Sequence, residues 1–181
     1  GDNKLLKDAI RANELVTERA ISEDNVLHIH GGSAGMVCAL LALFRATGDQ
    51  KFLRKASICG HHLLARRQKI GNGLIGWKLG SDGSAPTGFS RGTAGIAYAL
   101  LSLYRETGES SFYDAAEEAI AHEGIKNDRQ EATGVGNRTL SKSQILKVSG
   151  SIQGWCNGPL GIALSRIATL DVFDNELVRT Q

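Results

Sequence analysis

Proline is scarce in this chain, with two residues in 181. Proline breaks helix interiors and central strands, so its near absence suits a helical protein. Cysteine is nearly as rare, at three widely spaced residues. An odd, scattered set makes no disulfide framework, and a reducing, cytoplasmic compartment is expected. Charge of one sign is lacking too: 21 Lys and Arg stand against 19 Asp and Glu, a net charge of +2. Nothing global therefore attracts nucleic acid or an anionic membrane surface. No apolar run reaches the roughly eighteen residues of a membrane span, and the polar opening Gly1–Lys7 is no signal peptide. What remains is a globular composition, 41% hydrophobic and 22% charged, long enough for one domain with a core of its own. The chain opens on Gly1 and its only Met is Met36, so it is expected to be a piece of something longer.

An internal repeat organises the chain. Gly31–Ala56 (GGSAGMVCALLALFRATGDQKFLRKA) returns 60 residues later as Arg91–Ala116 (RGTAGIAYALLSLYRETGESSFYDAA). Over Gly32–Ala56, 12 of 25 positions are identical, among them Gly32/Gly92, Gly35/Gly95, Arg45/Arg105, Thr47/Thr107 and Gly48/Gly108. A weaker third copy, GPLGIALSRIATLD, starts at Gly158, and its Gly161 follows Gly95 by 66 residues. Self-similarity of this kind marks a repeated supersecondary unit. Units near residues 31–65, 91–123 and 158–171 each read as a helical hairpin. Met36–Arg45 and Ile96–Arg105 are apolar nearly all round, as buried helices are. Thr-Gly ends them, and Asp49 and Ser110 are expected to cap the next helices. The glycine turns put small residues where a helix end can approach another backbone. The expected class is all-α, a ring or solenoid of hairpins without strand-like alternation. Asn3–Ala20 is expected to form a further amphipathic helix. Gly71–Thr87 reads as a Gly- and Ser-rich connection holding Trp77. The polar stretch 124–154 reads as irregular.

Several motifs could carry chemistry. Cys156 stands in Trp155-Cys156-Asn157-Gly158, where a helix N-terminus would lower a thiol pKa; a small buried hydrophobe is the commoner fate of a lone Cys. Cys38 and Cys59 lie within apolar helical segments, where that fate is stronger still. His28 and His30 alternate, so an extended chain would point both rings one way. Without a nearby Cys or His partner, solvated or capping roles compete with a metal pair. His61 and His62 are helical neighbours, so at most one faces any site. His122 is expected to end a helix at its negative pole. Gly88-Phe89-Ser90-Arg91-Gly92 matches G-x-S-x-G, but Ser81–Thr87 is a polar turn-former where a nucleophile elbow needs a strand. Ser90 reads instead as a helix-start residue.

Taken together, HIHGGSAG, LIGWKL, PTGFSRGTAGIAYALLSLYRETG and WCNGPLGIALSRI resemble the cyclase domain of LanC-like proteins, most closely the C-terminal part of class II (LanM-type) lanthipeptide synthetases. The resemblance runs from about Leu5 to Asp171. It implies an α/α toroid of helical hairpins, of which this chain would supply an incomplete ring. It also implies zinc (Zn2+) held by Cys156 and by a later Cys-His or Cys-Cys pair, with one position open to a cysteine thiol of a lanthipeptide precursor peptide. The thiolate would add to a dehydroalanine or dehydrobutyrine produced by a dehydratase domain of the same enzyme, closing a thioether ring.

The residues depart from that pattern in ways that bear on activity. No later Cys-His or Cys-Cys pair precedes Gln181. The family's catalytic positions fall on His28, where an Asp is usual, and on Arg91, where a His is usual. Arg stays charged and makes a poor proton donor near neutrality. The chain reads as a lanthionine-forming cyclase domain, or alternatively as a truncated or degenerate peptide-binding scaffold of the same fold, so activity of this chain alone is left open. A toroidal sugar hydrolase would need a carboxylate pair, and the repeat turns carry none. An incomplete ring is also expected to leave apolar helix faces exposed where repeats are missing.

Overall fold

The first two repeats fold as helical hairpins, and the third shows its first helix. The computed structural model describes residues 3–71, 74–79, 83–121, 155–156 and 158–173. In chain order these form α1 (Asn3–Asn13), α2 (Glu18–Ser22), α3 (Ser33–Thr47), α4 (Gln50–Ala65), strands β1 (Gln68–Gly71) and β2 (Leu74–Gly76), α5 (Thr93–Thr107), α6 (110–121) and α7 (Pro159–Ile167). The expected all-α class holds, and among the described residues no helix is long and apolar enough to cross a membrane. The stretch 124–154 and His122 lie outside the described residues.

Each hairpin is closed by the same device. Gly48 and Gly108 take φ of 70° and 69°, the left-handed region open to glycine, and their N–H groups bond the carbonyls of Phe44 and Tyr104. Thr47 and Thr107 bond back to Leu43 and Leu103 while accepting from the N–H of Asp49 and Glu109. Asp49 then caps α4 by accepting from Lys51 N at 2.9 Å. In the second hairpin the helix begins one residue earlier than expected: Ser110 is its first residue, and Glu109 occupies the place of Asp49.

α3, α5 and α7 form one layer, each packed on the next, with α4 behind α3 and α5. α5 is therefore enclosed, and Ile96, Leu100, Leu101 and Leu103 are fully buried. Gly60 of α4 admits Leu103 and Phe112 against its backbone, which brings α4, α5 and α6 together. At the C-terminal ends, the Arg shared by the first two repeats reaches forward to an acid of the next. Arg45 Nε bonds Glu106 Oε1 at 2.7 Å, and Arg105 Nε bonds Asp171 Oδ2 at 2.7 Å. α7 turns Leu160, Leu164 and Ile167 outward, about 60% exposed among the described residues.

Two expectations need correction. Asn3–Ala20 is not one helix: α1 stops at Asn13, and Thr17 starts α2 by accepting from Ala20 N at 3.1 Å. Gly71–Thr87 is not simply a connection either. Its start pairs with the preceding residues as a short antiparallel hairpin, Gln68 opposite Gly76. The hairpin delivers Trp77 into the core, where its indole N–H donates to Leu63 O at 2.8 Å.

The start of each layer helix rests on one glycine. A Cβ on Gly35, Gly95 or Gly161 would overlap the carbonyl oxygen of Ile29, Phe89 or Trp155, always the residue six before. Gly95→Ala should therefore lower unfolding stability by roughly 3 kcal/mol, the upper range for overpacking. Gly48→Ala, strained only in φ, should cost about 1 kcal/mol. Urea denaturation of the two variants measures the contrast.

Candidate functional site

The three glycine turns lie side by side. His30 N donates to Ser90 O at 3.0 Å, and Ser90 N donates to Cys156 O at 2.7 Å. Residues 30, 90 and 156 hold the same place in the three repeats, so these bonds are the rungs of a short ladder. With the Arg45–Glu106 and Arg105–Asp171 pairs at the other end, α3, α5 and α7 must run in the same direction. Their N-caps are Gly32, Gly92 and Gly158, none with a side-chain cap bond. Three positive helix poles thus face one end of the molecule.

The residues singled out in the sequence are carried to that end. Cys156 is the last rung, half-buried and free. Its neighbour Trp155 stacks on Phe89 with ring centroids 5.8 Å apart. Arg91 is exposed directly after the middle rung. His28 lies within the electrostatic reach of Arg91 and of His30, whose ring centroid is 6.3 Å from its own. His28 is half-buried, and its Nδ1 is wholly buried, with no hydrogen-bond partner among the described residues. Burial pushes its pKa down, and the charges of Arg91 and His30 push the same way, against a smaller upward pull from its own backbone and from Asp24. His28 is therefore neutral near pH 7.

Other candidates are structural. His61 Nε2 pairs with Glu109 at 2.9 Å, and His62 Nε2 meets Asp24 O at 2.8 Å. Ser90 is a buried rung with no strand before it, not a nucleophile elbow. Burial pushes the Cys38 thiol up to about 11 and the Cys59 thiol up to about 12, so neither is a ready nucleophile.

Asp24 went unnoticed in the sequence, because its counterpart in the second repeat is Ser84 and the repeat comparison does not mark it. One of its oxygens, Oδ2, accepts from Ser33 N at 2.7 Å and Ser33 Oγ at 2.6 Å, and the other accepts from Val26 N at 2.8 Å. It also receives Leu27 N, and Leu27 is a non-glycine residue held at φ 62°. Asp24 thus braces the turn that carries His28.

Zinc needs three protein donors around its open position. Among the described residues no group of three His, Cys, Asp or Glu side chains is placed to hold a metal ion. Cys156 alone does not fit a zinc site.

A sequence model of the family described as lanthionine synthetase C-like protein matches residues 1–181. The chain belongs to that family. No curated protein and no solved structure matches it. For a LanC-like chain, the ladder is the feature that brings three separate segments together.

Two outcomes are expected here. Burial raises the Asp24 pKa, but the Ser33 hydroxyl and the backbone N–H groups outweigh it and hold the carboxyl below its ordinary value. Its contribution is thus complete above the unfolded value of about 3.9 and is lost as pH falls through the lower folded value. Asp24→Asn should cost about 1–3 kcal/mol at pH 7. The difference from wild type should close in acid, as denaturant curves from pH 7 to 2 will show. Separately, iodoacetamide at pH 8 should label Cys156 well before Cys38 and Cys59, which should react only on unfolding; peptide mapping reads the order.

Proposed function

We propose that this chain works as the cyclase-type module of a lanthionine synthetase, of the class II (LanM-type) arrangement. It would hold a lanthipeptide precursor peptide at the turn end, after a dehydratase domain has made dehydroalanine or dehydrobutyrine. What supports this is the convergence of His28, Arg91 and Cys156 on one end, under three positive helix poles. A peptide thiolate is an anion, and such an end favours it over the thiol.

The reaction is redox-neutral. The peptide thiol gives up its proton and its sulfur bonds the β-carbon of the dehydro residue. The double-bond electrons move to the α-carbon and its carbonyl as an enolate, and one proton then returns to the α-carbon. His28, neutral near pH 7, is the member of the cluster able to accept the thiol proton. Arg91, always charged, can stabilise the enolate oxygen but cannot return the proton. Zinc is the family's means of favouring thiolate, and Cys156 is the single expected ligand among the described residues. The replacement of the usual Asp and His by His28 and Arg91 favours a second reading, a scaffold that binds peptide without cyclising it.

One experiment tests both. The purified chain, with its zinc content measured, is incubated with a peptide carrying one dehydroalanine and one Cys four residues apart. Peptide binding is followed by anisotropy, and remaining thiol by maleimide labelling and mass spectrometry. Cyclisation above background, reduced at least about tenfold in Cys156→Ala with binding retained, supports the cyclase. Binding with background cyclisation supports the scaffold. Neither binding nor cyclisation overturns both readings.

A further inference from the structure

The most unusual chemistry is basic groups meeting without an acid to balance them among the described residues. The first ladder rung places residue 30 against Ser90, and so beside Arg91. The His28 and His30 rings stand 6.3 Å apart, tilted by 46°. His28 Nδ1 is buried without a hydrogen-bond partner among the described residues, an arrangement that costs free energy unless something fills it. Arg91 has no ion pair among the described residues. Asp24, the acid that His28 feels, is committed to Ser33, Val26 and Leu27. The helix poles of α3 and α5, capped by no side chain, add positive potential at the same place.

We propose that His28, His30 and Arg91 form an oxyanion-binding site at the turn end of the first two repeats. Arg91 supplies a planar fork of donors and a fixed charge suited to a carboxylate or phosphate. His30 supplies a second, solvent-facing ring. His28 supplies a ring N–H from the protein side when its proton sits on the nitrogen turned to the site. The oxyanion could be a Glu or Asp carboxylate or a phosphate monoester on Ser or Thr. That it arrives on a peptide rests on the function proposed above; the site itself does not.

The test uses three fluorescein-labelled peptides identical except for one residue, Ser, Glu or phosphoserine, each titrated into the full chain at low salt. Inorganic phosphate is titrated separately while the His28 and His30 ring signals are followed by NMR. One acidic peptide should bind at least about tenfold tighter than the Ser peptide, and the preferred one identifies the source of the oxyanion. The advantage should vanish in Arg91→Gln, persist largely in Arg91→Lys, and be unchanged in Arg11→Gln on the exposed face of α1. Phosphate should shift both ring signals in the wild-type chain, a reading that needs no variant to fold. If phosphate shifts them while all three peptides bind alike, the oxyanion site stands and the peptide reading fails. Equal peptide binding with no phosphate-induced shift overturns the site, as does an acidic preference that survives Arg91→Gln.

Discussion

The contact between Gly35, Gly95 or Gly161 and the carbonyl oxygen six residues earlier is the constraint on which the rest depends. It folds the chain back on itself at the start of each layer helix. The same close approach brings each turn against its neighbour. A side chain at Gly95 would also strike Ile29 of the preceding repeat, and one at Gly161 would strike Phe89. With no Cβ in the way, backbone meets backbone, and His30, Ser90 and Cys156 join in a ladder. The Arg45–Glu106 and Arg105–Asp171 pairs align the far ends. Such partly exposed pairs contribute only about 0.2–1 kcal/mol each, so they adjust a geometry that glycine packing has already imposed.

That geometry decides what the turn end can do. Helix poles pointing one way give a region of positive potential before any side chain is counted. Arg91 deepens it, while burial keeps His28 uncharged. An acid–base pair at these positions would suit proton transfer. The pair found here suits holding negative charge.

Much of the fold was legible because the repeat is visible twice over. The Thr-Gly closures, the Asp49 cap and the buried layer helices all lie where the aligned copies put them. The β-hairpin was not legible. β1 and β2 are four and three residues long, too short for alternation to show, and they lie amid glycine. The break after Asn13 carried a signal in Thr17-Glu18, a cap followed by an acid, but the apolar spacing ran across it. At the site, repeat equivalence puts Cys156 in line with Ser90. What it does not convey is that the aligned residues bond one another, or that His28 has a buried nitrogen. Arg45 and Arg105 were visibly recurrent, yet their partners are 61 and 66 residues away, beyond any local pattern.

The ladder also separates what must keep its length from what need not. The first two turns are 60 residues apart and the next two 66. Yet Trp155, Cys156 and Gly161 answer Phe89, Ser90 and Gly95 without slippage. The difference of six residues is taken up before Trp155, in the return between hairpins. Counting along the chain restarts at every turn. Length between the repeats is thereby uncoupled from the register of the helices, and it can change without disturbing the turns.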